Sequence, residues 1–131
     1  MSDQDAEVVR RWFACFAEGR SGVELCDPEV RIDNVAQFPT TGPYHGHEGV
    51  ERWWGDLRDA IDELHFELEE LLDLDDGRVV TSQRLIGRFR HTGIDVDAPW
   101  ASIVWVEQGK IVRAAGYPSR RRAFQAAGVS V

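Results

Sequence analysis

The chain has 131 residues, of which 43% are hydrophobic and 10% aromatic, a length and composition that suit one domain, residues 1–131, with a real core. Fifteen basic residues against 23 acidic ones leave a net charge of −8, so nucleic acid and an anionic membrane surface, which would both repel the chain, are not expected partners. No apolar run approaches the roughly 20 residues of a membrane span, and the acidic start Met1-Ser2-Asp3-Gln4-Asp5 lacks the basic-then-apolar pattern of a leader, so the expected location is the cytoplasm.

Val8, Val9, Trp12, Phe13, Phe16 and Ala17 fall on one helical face, which predicts an amphipathic first helix capped by Ser2 or Asp3 and stopped at Gly19. Cys15 sits in this helix as a small hydrophobe. With Cys26 as its only companion, no disulfide framework is expected. A short helical turn near Val23 follows, then a brief strand in which Val30 and Ile32 alternate with Arg31 and Asp33, then a loop containing Pro39 and Gly42. The glycine-punctuated segment Tyr44-His45-Gly46-His47-Glu48-Gly49 leads into a second helix, residues 48–62, with the stripe Val50, Trp53, Trp54, Leu57 and Ile61.

From His65 the period changes to two, with Phe66, Leu68, Leu72 and Leu74 on one face and Glu70 as its charged member; Asp75-Asp76-Gly77 turns the chain. Strands are predicted over 79–91 and 96–107, with Gly87 and Gly93 as bend points. Gln108-Gly109 joins the second of these to a last strand, and Ser119 caps a closing helix that ends at Gly128. Both faces of Pro99-Trp100-Ala101-Ser102-Ile103-Val104-Trp105-Val106 are apolar and only one can face the helices, which predicts a homodimer.

This order of elements, together with Tyr44-His45-Gly46-His47-Glu48-Gly49-Val50, Gly87-Arg88, Gly109-Lys110-Ile111-Val112 and Arg122-Ala123-Phe124-Gln125-Ala126-Ala127-Gly128, resembles the SnoaL-like (polyketide cyclase-like) branch of the NTF2-like superfamily. The resemblance implies an α+β cone, a strongly curved antiparallel sheet wrapped around about three helices, with an internal pocket and often a dimer through the outer sheet face. Function does not follow from that fold, which serves many chemistries. The isomerase pattern of the superfamily places its tyrosine at Trp12 and its oxyanion-donor aspartate at Ala101, so two of its three groups are missing and only Asp33 lies near the base position. The epoxide-hydrolase pattern keeps Arg84 but meets Ile86 and Gly116 where it needs aspartates.

Arg84 facing a pocket would need an acceptor, supplied by Asp33, Glu70 or a ligand. Two readings stay open: an enzyme transferring protons on a small hydrophobic molecule, with Asp33 or Glu70 as base and Arg84 or Tyr44 as electrostatic partner, and a non-catalytic ligand-binding or dimerisation module. Either way the expected partner is a small hydrophobic ligand that can carry a polar or anionic end. Its expected contacts are Trp12, Phe16, Tyr44, Trp53 and Leu57 from the helical half, with Arg84, Ile86, Trp105 and Tyr117 from the sheet. His45, His47 and Glu48 match no established ligand spacing, so no metal is expected, and the absence of nucleotide fingerprints gives no cofactor.

Overall fold

The computed structural model describes residues 2–34 and 42–130. In chain order the elements are α1 (Ser2–Ala17), a single 3-10 turn (Val23–Leu25), β1 (Cys26–Asn34), β2 (Tyr44–His45), α2 (Gly46–Ala60), β3 (Ile61–Asp73), β4 (Arg78–Phe89), β5 (Asp95–Glu107), β6 (Lys110–Tyr117) and α3 (Arg120–Ala127). The expected helices and hairpins are all present. Ser2 and Asp3 lie inside α1 rather than ahead of it, and the predicted Pro39 loop falls outside the described residues. Ser119 does cap α3, its side chain accepting from the Arg122 N–H, and Gly128 closes that helix at φ 77°.

The six strands form one open sheet in the order β2-β1-β6-β5-β4-β3. β3 to β6 are an antiparallel meander, as expected, whereas β1 runs parallel to β6, with Ile32 beside Ala114, so the sheet is mixed. α2 contacts β1, β2 and β3. Because β1 and β3 lie toward opposite ends of the strand order, one helix can reach both only if the sheet curls around it. α1 completes the filling by packing on β3 through β6.

Two cores share the strands. On the concave side, Val9, Trp12, Phe16, Val50, Trp53, Trp54 and Leu57 pack against Val30, Ile32, Val79 and Val104. On the convex side, Ala123, Phe124 and Ala127 of α3 cover Val80, Ala101 and Ile103. α3 thus buries the second apolar face of β5 within the same chain, which removes the reason given by the sequence for a homodimer. The uncovered part of that face is charged, with ion pairs Arg84–Asp97 at 2.6 Å and Arg88–Asp95 at 3.3 Å.

The two-residue period read along β3 is also corrected. Leu68 pairs with Gln83 but Glu70 pairs with Ser82, so one extra residue is inserted and the side chains change face. Phe66 and Leu68 point to the concave side; Leu71, not Leu72, continues that face, Leu72 is 36% exposed, and Glu70 turns outward to Arg120 at 2.6 Å. Near the other end of the same pairing, where the register shifts between Asp62 and His65, Gly87 also acts by the absence of a side chain. A Cβ there would lie 2.4 Å from Ile61 Cγ2 and 2.8 Å from the Asp62 carbonyl oxygen, where the end of α2 enters β3. Gly87→Ala is therefore expected to destabilise the fold by about 1–3 kcal/mol, measured by chemical denaturation; a variant as stable as the parent would show that this corner yields freely.

Candidate functional site

Between the helices and the concave face lies a narrow cavity. Trp12, Phe13 and Phe16 of α1 and Trp53 and Leu57 of α2 form one wall; Ile32, Phe66, Leu85, Trp100 and Ala114 belong to the other. Its enclosed volume is small, about 50 Å³, room for only a few waters. The shape is a slot between flat rings. Trp12 and Trp53 have centroids 5.9 Å apart, and Phe16 meets Trp53 edge-on at 5.5 Å. The Trp12 indole N–H is taken by the Ser21 carbonyl at 2.9 Å, so this ring offers the cavity an apolar surface.

Polar side chains enter the lining at two places, Gln83 and Ser102. Both belong to neighbouring inward positions of β4 and β5, and Thr81 links them: its hydroxyl donates to Gln83 Oε1 at 2.8 Å and lies 2.5 Å from Ser102 Oγ. Among the described residues, no carboxylate, histidine, lysine or arginine lines the slot.

With this geometry in view, the relatives are informative. Residues 9–114 match the family model for the SnoaL-like domain. The chain belongs to this family. The SnoaL-like chain is 32% identical over 114 residues to the uncharacterized protein Rv0034 of Mycobacterium tuberculosis, covering 85% of this chain and 86% of that one. Its fold matches Bal32a, from a soil-derived mobile gene cassette, with a TM-score of 0.81 at 22% identity over 95% of this chain and 96% of the other. It also matches TerC, solved as a co-crystal with polyporic acid, with a TM-score of 0.76 at 16% identity over 94% and 96% of the two chains.

Of the positions expected to contact ligand in this SnoaL-like domain, Trp12, Phe16, Trp53 and Leu57 line the slot. The others lie elsewhere. Arg84 and Ile86 occupy the outward positions of β4, alternating with inward Gln83 and Leu85, and Arg84 is held by Asp97, which raises the guanidinium pKa still further above its ordinary value. Trp105 and Tyr117 pack in the convex core under α3, Trp105 with the Arg113 guanidinium 4.5 Å from its ring centroid. Tyr44 is buried, but its hydroxyl donates to Asp56 at 2.7 Å and its ring does not reach the slot.

The three catalytic candidates are not brought together. Asp33 lies on the convex side between Arg31 at 3.0 Å and Arg113 at 3.4 Å, Glu70 pairs with Arg120, and Arg84 with Asp97. Strand parity decides each of these placements, because adjacent residues face opposite sides of the sheet. His47 Nε2 is 2.8 Å from the Cys26 carbonyl oxygen and His45 Nε2 lies 3.7 Å from Glu29, so the two rings have separate partners. Burial pushes the Cys26 thiol up to about 12, which keeps it a protonated, unreactive filler.

The residues missed by sequence reasoning are Phe13, Ile32, Phe66, Gln83, Leu85, Trp100, Ser102, Ala114, Ala115 and Gly116. One signal was available for Gln83: a carboxamide set between strand residues of high β-propensity, where only a buried partner or a ligand rewards it. Placement also predicts energetics. Leu57→Ala, at a position 3% exposed, is expected to cost about 2–5 kcal/mol, while Arg84→Met, which removes an exposed and screened ion pair, should leave the melting temperature nearly unchanged. Thermal denaturation of both variants checks the assignment, and the reverse order of effects would refute it.

Proposed function

We propose that this SnoaL-like domain binds a small, flat, largely apolar molecule in the aromatic slot and carries out no proton transfer on it. One observation carries the reading: the slot is walled by rings and aliphatic side chains, with Gln83 and Ser102 as its polar side chains among the described residues. General acid–base chemistry needs a titratable group within hydrogen-bond reach of the substrate. Asp33, Glu70 and Arg84 instead form ion pairs on the opposite face of the sheet. TerC, co-crystallised with polyporic acid, is a precedent for a small organic molecule bound by a protein of this fold.

A slot too narrow for more than a few waters selects for thin molecules and favours them by releasing poorly bonded water. Ala114 lines the slot and is 6% exposed, so Ala114→Leu adds bulk where the ligand would lie. Indane, a thin bicyclic hydrocarbon, serves as the probe. Calorimetry is expected to show indane binding to the parent and a loss of at least about tenfold in Ala114→Leu, with the melting temperature kept or raised by cavity filling. Undiminished affinity in that variant would place any binding outside the slot.

For assembly, we retain a homodimer only in a polar form. The outer surface left uncovered by α3 presents Arg84, Arg88, Asp95 and Asp97, charges that a two-fold axis could pair across copies. Light scattering is then expected to show association that weakens between low and physiological salt; a salt-independent dimer would mean that a different, apolar surface is used.

A further inference from the structure

We propose that Gln83 is the specificity-determining residue of the slot, presenting its carboxamide N–H donors to a carbonyl-type oxygen on the ligand; this rests on the binding reading above. A threonine hydroxyl has one proton to give, and Thr81 gives its proton to Gln83 Oε1 at 2.8 Å. The contact between Thr81 Oγ and Ser102 Oγ must therefore be a donation from Ser102. The chain of hydrogen bonds runs one way, from Ser102 through Thr81 to Gln83, and ends on the amide oxygen.

In this network the amide is oriented with Oε1 on Thr81. With Oε1 held at the sheet, Nε2 is the end left to face the slot, and it keeps a narrow contact with solvent there, since Asp73 Oδ2 is the one fully enclosed side-chain polar atom without a partner among the described residues. A ligand filling the slot displaces the water that reaches this amide, so a ligand lacking an acceptor leaves the donor pair unpaired, whereas one with an oxygen placed there restores the bond. The donors are neutral and cannot pass on a proton, so they recognise rather than catalyse. No cation lines the slot among the described residues, so burial there disfavours an anionic end. The ligand class is thus a flat apolar molecule carrying a neutral acceptor such as a ketone, quinone or ester oxygen.

Indane and 1-indanone test the assignment, because they share a skeleton and differ by a carbonyl oxygen in place of two hydrogens. Calorimetry on the intact protein is expected to give 1-indanone roughly three- to tenfold tighter binding than indane, the worth of one neutral hydrogen bond. In Gln83→Leu the ratio should fall to near one. Thr81→Val, which keeps the shape but releases the amide oxygen, should lower the ratio partway. Infrared spectroscopy of 1-indanone bound to the parent protein needs no variant, and it is expected to show the carbonyl stretch below its frequency in hexane.

Equal affinities in the parent, an undiminished ratio in Gln83→Leu, or a carbonyl band at its hexane position would each overturn the donor role while leaving apolar binding intact. Binding of neither probe would overturn the slot reading and this inference with it.

Discussion

Phe16 of α1 lies flat against Trp54 of α2, their ring centroids 5.1 Å apart and their planes at 17°, and the rest of the structure is arranged around that stack. It holds the two long helices together inside the curled sheet. Backbone carbonyls tie in its surroundings: the Trp54 indole N–H reaches the Gly19 oxygen at 3.3 Å, and Trp12 reaches Ser21 at 2.9 Å, so the turn after α1 is fastened to both helices. The neighbouring rings cannot all lie parallel to this stack. Trp53 meets Trp12 at 33° and Phe16 at 60°, and Phe66 meets Phe16 at 52°. Rigid plates meeting at such angles leave wedges between them, and the slot is the wedge bounded by these rings.

The helical half of the site was legible in the sequence because helical periodicity is robust. Trp12, Phe16, Trp53 and Leu57 stand at spacings that admit one buried face, and each does line the slot. The sheet half was not legible, and the reason is α3. In a sheet with one solvated face, polar and apolar residues alternate and reveal which side is in. Here α3 buries the convex face of β4 and β5 as well, so Val79-Val80 and Ile103-Val104 are apolar on both sides and the alternation that would have revealed the face disappears. Beyond the reach of α3, it is the epoxide-hydrolase pattern that sets Arg84 and Ile86 inward, one residue away from the Gln83 and Leu85 that line the slot. On β3 the inserted residue after Leu68 put Glu70 on the other face, since a bulge leaves no mark in a pattern read at constant period.

The overall architecture survived these errors because it depends on element order and length rather than parity. The parallel pairing of β1 with β6 was the exception. It joins segments far apart in the chain, and nothing local in Val30, Ile32 or Ala114 encodes which strand becomes the neighbour. The same pairing brings Ile32 alongside Ala114, and both line the slot. A long-range contact absent from the local pattern therefore supplies part of the wall, while local patterns supply the rings facing it.

The open sheet has a further implication for how the molecule behaves in a crowded solution. β3 is a terminal strand of the order β2-β1-β6-β5-β4-β3, so one side of its 13-residue backbone has no strand partner among the described residues. An unpaired edge of that length is a template on which a second copy could add a strand. This one carries Asp62, Glu63, Glu67, Glu69, Glu70 and Asp73, with neither lysine nor arginine among its residues. Two such edges brought side by side would set carboxylates against carboxylates, which disfavours pairing at every register. The acidity of this edge thus guards the chain against polymerising through its own longest exposed strand.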